Sequence, residues 1–263
     1  MDPTPLLLNS ITDADAVARG RVVVSGSHGG VYPAAIASRA RVHAVLFNDA
    51  GIGFDQAGIA GVRALEACGM AAAAVACLTA EIGSATDALA HGVISFANDQ
   101  ARAVGVVAGM AARDAAALLV QAPAPVARLA PGTEARWDRD RPGKAALLCL
   151  DSASLVTPGD AGRIIITGSH GGLIGGDPAR ALKAKALLAV FNDAGGGKNG
   201  IGTSRLPALQ QQGIAAITVS HDSCRIGDAA SALAEGVISA ANPCAQAMQA
   251  RVQDRLADFL NLI

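Results

Sequence analysis

The sequence predicts an α/β protein built by tandem duplication of a mostly parallel, Rossmann-like three-layer unit, the two copies packing with pseudo-two-fold symmetry. Three observations predict it. The string Gly-Ser-His-Gly-Gly occurs twice, at 26–30 and 168–172, each time directly after an apolar run, Val22-Val23-Val24 or Ile164-Ile165-Ile166. Phe47-Asn48-Asp49-Ala50-Gly51 then returns as Phe191-Asn192-Asp193-Ala194-Gly195, and Gly92-Val93-Ile94-Ser95 as Gly236-Val237-Ile238-Ser239, in the same order and 142 to 144 positions on. A period that long is a duplicated domain and not a solenoid repeat. Finally, short apolar runs without polar alternation alternate with segments of helical spacing, the pattern of parallel strands covered by helices on both faces.

In the first copy the apolar runs place strands at 5–9, 21–25, 43–48, 71–77 and 92–96, with crossover helices over 34–39, 58–68 and 84–91. The last of these stops at Gly92, a C-cap residue. A longer helix is expected over 100–119, capped by Asn98. Pro, Gly and charge then mark a linker: Gln121-Ala122-Pro123-Ala124-Pro125, Pro131-Gly132-Thr133 and a charged stretch through Trp137 to Lys144. Segments 126–129 and 134–137 flank the Pro-Gly turn as a small hairpin. The second copy repeats the scheme, with helices over 178–185, 204–212 and 228–235, and a long one over 243–260 capped by Asn242. The domains are therefore read as 1–118, 119–145 and 146–263.

Hydrophobic residues make up 51% of the chain and aromatics 3%, so Ala, Val, Leu and Ile must fill the cores. A formal net charge of −1 without a Lys/Arg cluster removes the electrostatic footprint that nucleic acid or an anionic membrane requires. The expected partners are a small-molecule substrate, anionic in character, and further copies of the chain in a homo-oligomer. Five cysteines form no C-x-x-C pair and occupy different places in the two copies, which reads as reduced thiols. Met1-Asp2-Pro3-Thr4 lacks the basic start of a secretory signal, and the Ala-rich runs are broken before membrane-spanning length. A cytoplasmic location is the expectation.

The duplicated loops supply the candidate site. Gly26 and Gly29, with Gly168 and Gly171, let a backbone of N–H donors approach a ligand at the carboxyl end of a parallel strand, ahead of a helix N-terminus suited to carboxylate or phosphate. Ser27 and Ser169 have the small-x-Ser-x-Gly spacing of a nucleophile elbow, which makes them candidate nucleophiles. His28 and His170 follow them directly, so an activating base would come from elsewhere. The competing reading is that Ser and His cap the helix and bond the loop. Asp49 and Asp193, ending strands in the same crevice, are candidate general bases or histidine orienters, against a competing role as turn-bonding residues.

The copies diverge in polarity. The second carries Lys198 where the first has Phe54, His221-Asp222 for Cys77-Leu78, Arg225 for Glu81 and Asp228 for Ser84. Lys198 and Arg225 suit an anionic group, and His221 a substrate contact. His221, Asp222, His170 and Asp193 offer mixed donors for Zn²⁺ or Mn²⁺, but at no recognised ligand spacing, so the reading is of no cofactor. Walker spacing is absent at Lys198, which disfavours ATP.

These residues point to an enzyme of small-molecule metabolism, with its site between the repeats. The leading expectation is hydrolysis of an amide-type C–N bond in a small polar or carboxylated metabolite. Ser169 or Ser27 would attack or orient water, Asp193 would manage a proton, and Arg225 with Lys198 would hold an anionic group. A cofactor-independent lyase or isomerase using Asp/His proton transfer is the second reading. A non-catalytic module that captures small anions is the third.

Overall fold

The computed structural model describes residues 4–130 and 132–263. It divides into two compact units, one of Met1–Ile52, Gln56–Thr133 and Gly197–Asn199, the other of Gly53–Asp55, Glu134–Gly196 and Gly200–Ile263. Each is a mixed α/β unit with its own sheet.

The first sheet holds β1 (Leu6–Leu8), β2 (Val22–His28), β3 (Ala44–Asn48), β4 (Ala71–Val75) and β5 (Ile94–Ala97), side by side in chain order. β1 to β4 are parallel, and β5 runs antiparallel to β4. Alternate residues serve two cores: Val22, Val24, Leu46 and Ala73 face one, Val23, Val45, Phe47 and Ala74 the other. Helices Ala85–His91 and Ala112–Leu119 cover the first face, Val31–Arg39 and Ala60–Ala64 the second. A strand buried on both sides needs apolar residues at every position, which is what the unalternating runs encode.

The second sheet adds β6 (Arg136–Arg139), β7 (Leu147–Leu150), β8 (Ile164–His170), β9 (Leu188–Asn192), β10 (Ala215–Val219) and β11 (Ile238–Ala241), again in chain order. β7 to β10 are parallel, with antiparallel β6 and β11 at the two edges. Helices Ala229–Glu235 and Leu256–Leu262 pack on one face; helix Arg205–Gln211 and the crossover residues Ala181, Leu182, Ala184 and Ala186 pack on the other.

Four expected elements differ in the structure. Each long helix is broken in two, Asp99–Ala103 with Ala112–Leu119 and Pro243–Ala247 with Leu256–Leu262. Left-handed residues interrupt them, Gly105 (φ 91°) and Gly109 (φ 87°) in one case, Gln249 (φ 72°) and Gln253 (φ 77°) in the other. The turned segment then bonds back to the edge strand, the Gly109 N–H donating to the Ile94 carbonyl at 2.8 Å.

The helix expected over 178–185 is also replaced, by 3-10 turns at Ile174–Gly176 and Pro178–Arg180. Gly175 and Gly176 are left-handed, which breaks any helical run entering the segment. Arg205 substitutes for the missing helical bonds: its Nε donates to the Gly172 carbonyl at 3.0 Å and its Nη1 to the Ala181 carbonyl at 2.5 Å. The buried guanidinium lies 5.0 Å over the Phe191 ring. Burial, with nearby Arg180 adding to it, lowers its pKa to about 10, which still leaves a cation at neutral pH.

Finally, residues 126–129 form no strand; Arg136–Arg139 pairs instead with Leu147–Leu150. Pro131 of the expected turn lies outside the described residues.

Asn98 and Asn242 do more than cap. Asn98 Oδ1 accepts the Ala101 and Ala72 N–H groups at 3.0 Å each, and its Nδ2 donates to the Met70 and Val62 carbonyls at 2.8 and 3.3 Å. Asn242 repeats all four bonds, accepting from Ala216 and Ala245 and donating to Ile214 and Leu206. Each amide ties the end of one strand to the start of a helix and to a neighbouring loop.

The five cysteines are free, four buried and Cys244 half-buried. Among the described residues no helix is long and apolar enough to cross a membrane.

Candidate active site

In the first unit β2 continues through Ser27 and His28, so the Gly-Ser-His-Gly-Gly string is partly strand and partly helix entry. Ser27 Oγ accepts the Ile11 N–H at 3.0 Å, and His28 Nδ1 accepts the Gly30 N–H at 3.1 Å. A Cβ on Gly26 would lie 2.6 Å from the Asn9 carbonyl and from the Gly83–Ser84 backbone; one on Gly29 would lie 2.8 Å from the Gly58 carbonyl. The close approach that glycine permits here is therefore to the chain's own loops.

Asp49 Oδ1 accepts the Gly51 and Cys77 N–H groups at 2.9 Å each. Asn48 Oδ1 accepts the Ala50 N–H at 2.9 Å, and Asn48 Nδ2 donates to the Ala80 carbonyl at 3.1 Å. The Gly83 N–H completes the set by donating to the Gly26 carbonyl at 2.8 Å. These bonds draw the loop after β4 across the carboxyl ends of β3 and β2, where open α/β sheets take ligands. In this unit that end is occupied by turn chemistry.

Burial holds the His28 pKa down at about 4, against 6.5 for the free side chain, and the neutral ring is the form that accepts from Gly30. The unfolded chain thus binds a proton between these values that the folded one refuses. His28's contribution to stability is complete above pH 6.5 and falls by up to about 3 kcal/mol as pH drops toward 4. His43, whose pKa burial also lowers, acts in the same direction. Urea unfolding measured between pH 7 and 4 is expected to show this loss. His28→Asn, which keeps an acceptor for Gly30, is expected to flatten it, and an unchanged slope would contradict the assignment.

The second unit repeats the frame. Ser169 Oγ accepts the Ala153 N–H at 2.9 Å, His170 is buried at the end of β8 opposite Asn192, and Asn192 Oδ1 accepts the Ala194 N–H at 2.9 Å. Gly168 packs against the Gly227–Asp228 backbone and Gly171 against the Gly202 carbonyl. Neither Ser27 nor Ser169 has left-handed backbone. Both sit within strands, and the strained turn of a nucleophile elbow is not formed at either.

What the second unit adds is at the end of β10. The His221 N–H donates to Asp193 Oδ1 at 2.9 Å, as Cys77 does to Asp49, but the His221 ring also places Nδ1 2.9 Å from the same oxygen. Ser239, whose hydroxyl lies 3.0 Å from Thr218 Oγ1, stands near the same carboxylate and favours its ionised form. Burial works against ionisation of Asp193, but the His221 bonds, with Ser239 nearby, outweigh it and hold its carboxyl below the ordinary range. An ionised Asp193 selects the Nδ1–H form of the ring, so proton exchange at the imidazole falls to Nε2. That nitrogen lies 3.5 Å from the exposed Asp222 carboxylate, and the His221 side chain is 22% accessible. In the first unit the same position holds Cys77, whose thiol burial and Asp49 push up to about 12, so it offers no thiolate at neutral pH.

The other expected contacts sit elsewhere. Lys198, placed with the first unit, pairs with Asp87 at 2.6 Å. Arg225 pairs with Asp55 at 2.7 Å and lies 5.6 Å over the Phe54 ring. Both expected anion holders therefore already have carboxylate partners. Among the described residues no group of three or more His, Cys, Asp or Glu is arranged to hold a metal ion.

Ser239 was legible only as part of the repeated Gly-Val-Ile-Ser string, and its nearness to Asp193 needs the fold. Arg205 has no local signal at all. In comparisons with known proteins, no family model, no curated protein and no solved structure matches the chain.

Proposed function

We propose that the second unit is the chemically active one and that His221 is its general base, oriented by Asp193. The observation that carries this is the 2.9 Å Nδ1–carboxylate contact of a partly accessible imidazole, present in one copy of a duplicated frame and replaced by a buried thiol in the other. Our leading reading is hydrolysis of an amide-type C–N bond in a small polar or carboxylated metabolite, with His221 taking the proton from the attacking water. This assigns attack to water because the Ser27 and Ser169 hydroxyls already accept backbone N–H groups. The same engagement favours the second reading, a lyase or isomerase step in which His221 removes a proton beside a carbonyl.

A thermal-shift screen across metabolite classes favours no substrate in advance, since any compound that binds the folded state raises its stability. Stabilising compounds are then assayed for turnover. His221→Ala is expected to lower turnover by about 10² to 10⁴-fold, the usual contribution of a general base, while Ser169→Ala retains it. Stabilising ligands that are never turned over would favour the non-catalytic anion-binding module instead, and full activity in His221→Ala would rule out His221 as the base.

A further inference from the structure

The first unit has a cavity of about 260 Å³ beside helix Val31–Arg39. Tyr32 and Ile36 form its apolar floor on the helix, Leu129 forms a wall, and Arg39 and Arg128 flank it. The wall is pinned in place. The Leu129 N–H donates to the buried Ser38 hydroxyl at 2.9 Å, and the Val126 N–H donates to the Cys68 carbonyl at 3.0 Å.

We propose that this cavity binds a small anion, a phosphate or carboxylate carried on a single flat or apolar ring. Charge supports the anionic part. Arg19 and Arg128 lie close enough to Arg41 to lower its pKa by repulsion, Arg128 being the larger influence. With Arg39 this makes four guanidiniums around one end of the unit, and among the described residues none of them is paired with a carboxylate. An incoming anion relieves their mutual repulsion, and a guanidinium fork fits carboxylate or phosphate with two parallel bonds. Shape supports the ring. The volume lies just under the usual range of ligand pockets, enough for one ring and its head group, and the phenol of Tyr32 gives that ring a flat surface. In the second unit 3-10 turns at Ile174–Gly176 and Pro178–Arg180 stand where the first has the helix that forms the floor.

Tyr32 is the only tyrosine of the chain, so biosynthetic fluorotyrosine labelling gives one ¹⁹F resonance at the floor of the cavity. Titration of the full chain with phenyl phosphate is expected to shift that resonance saturably. Inorganic phosphate should bind at least about tenfold more weakly, because it lacks the ring. The double substitution Arg39→Gln with Arg128→Gln, at exposed positions that leave the core untouched, should weaken phenyl phosphate about tenfold or more. Gly132→Leu tests the cavity separately. Its Cβ would start 3.5 Å from the Tyr32 ring and the rest of the side chain would fill the space. The proposal is overturned if phenyl phosphate gives no saturable shift, if the double variant binds it as tightly as the parent chain, or if inorganic phosphate binds equally well.

Discussion

Asn242→Ala is expected to destabilise the second unit by at least about 4 kcal/mol, because it orphans four buried backbone groups at about 1–3 kcal/mol each. The amide is 4% exposed, so water has little access to the Ala216 and Ala245 N–H groups or to the Leu206 and Ile214 carbonyls that it serves. Asn98→Ala should do the same to the first unit, where the side chain is fully buried and makes the equivalent four bonds. Urea unfolding followed by circular dichroism reads both. A loss below about 1 kcal/mol in either variant would mean that these amides cap a helix terminus and nothing more.

Gly168→Ala should be nearly as damaging, for a different reason. The added methyl would press on the backbone of Gly227 and Asp228 and on the Asp151 carbonyl, none of which can rotate away as a side chain can. Overpacking against fixed atoms costs about 1–3 kcal/mol and sometimes more. Gly26→Ala meets the Asn9 carbonyl and the Gly83–Ser84 backbone in the same way. The discriminating feature is that the loss is expected with no ligand present. If these glycines instead served a ligand's approach, the apo protein would unfold at an unchanged denaturant concentration and only binding would suffer.

The strands were the most legible part of the chain. β2, β3, β4, β8, β9 and β10 are short, apolar on both faces and bounded by polar turn residues, and all of them form. The crossover helices expected over 84–91 and 228–235 form too, and Ser84 and Asp228 cap them by accepting from the N–H groups of Asp87 and Ser231. The broken helices were not legible, because helical spacing persists across Gly105–Gly109 and Gln249–Gln253 while the backbone is turned by bonds back to Ile94 and Ile238 of the preceding edge strands. The irregular crossover at 173–187 depends on Arg205, a residue some thirty positions downstream.

At the candidate site the repetition itself was misleading in one respect. Residues that recur in both copies, Ser27 with Ser169 and Asn48 with Asn192, turn out to share backbone bonds that any copy of the frame requires. The chemically distinctive contact is at a position where the copies disagree, His221 against Cys77. Sequence contrast marked that position, but only the fold shows that its ring reaches Asp193.

Strand order has a consequence for how each unit is assembled. Within each sheet every strand lies next to the strand before it in the chain, so each new pairing closes no more than the one crossover that precedes it. A nascent chain can add one strand and its covering helix at a time to the growing edge, with no gap held open for a later strand to insert. Such an order of growth suits folding during synthesis, in which the earlier part of a polypeptide is compact before the later part is made.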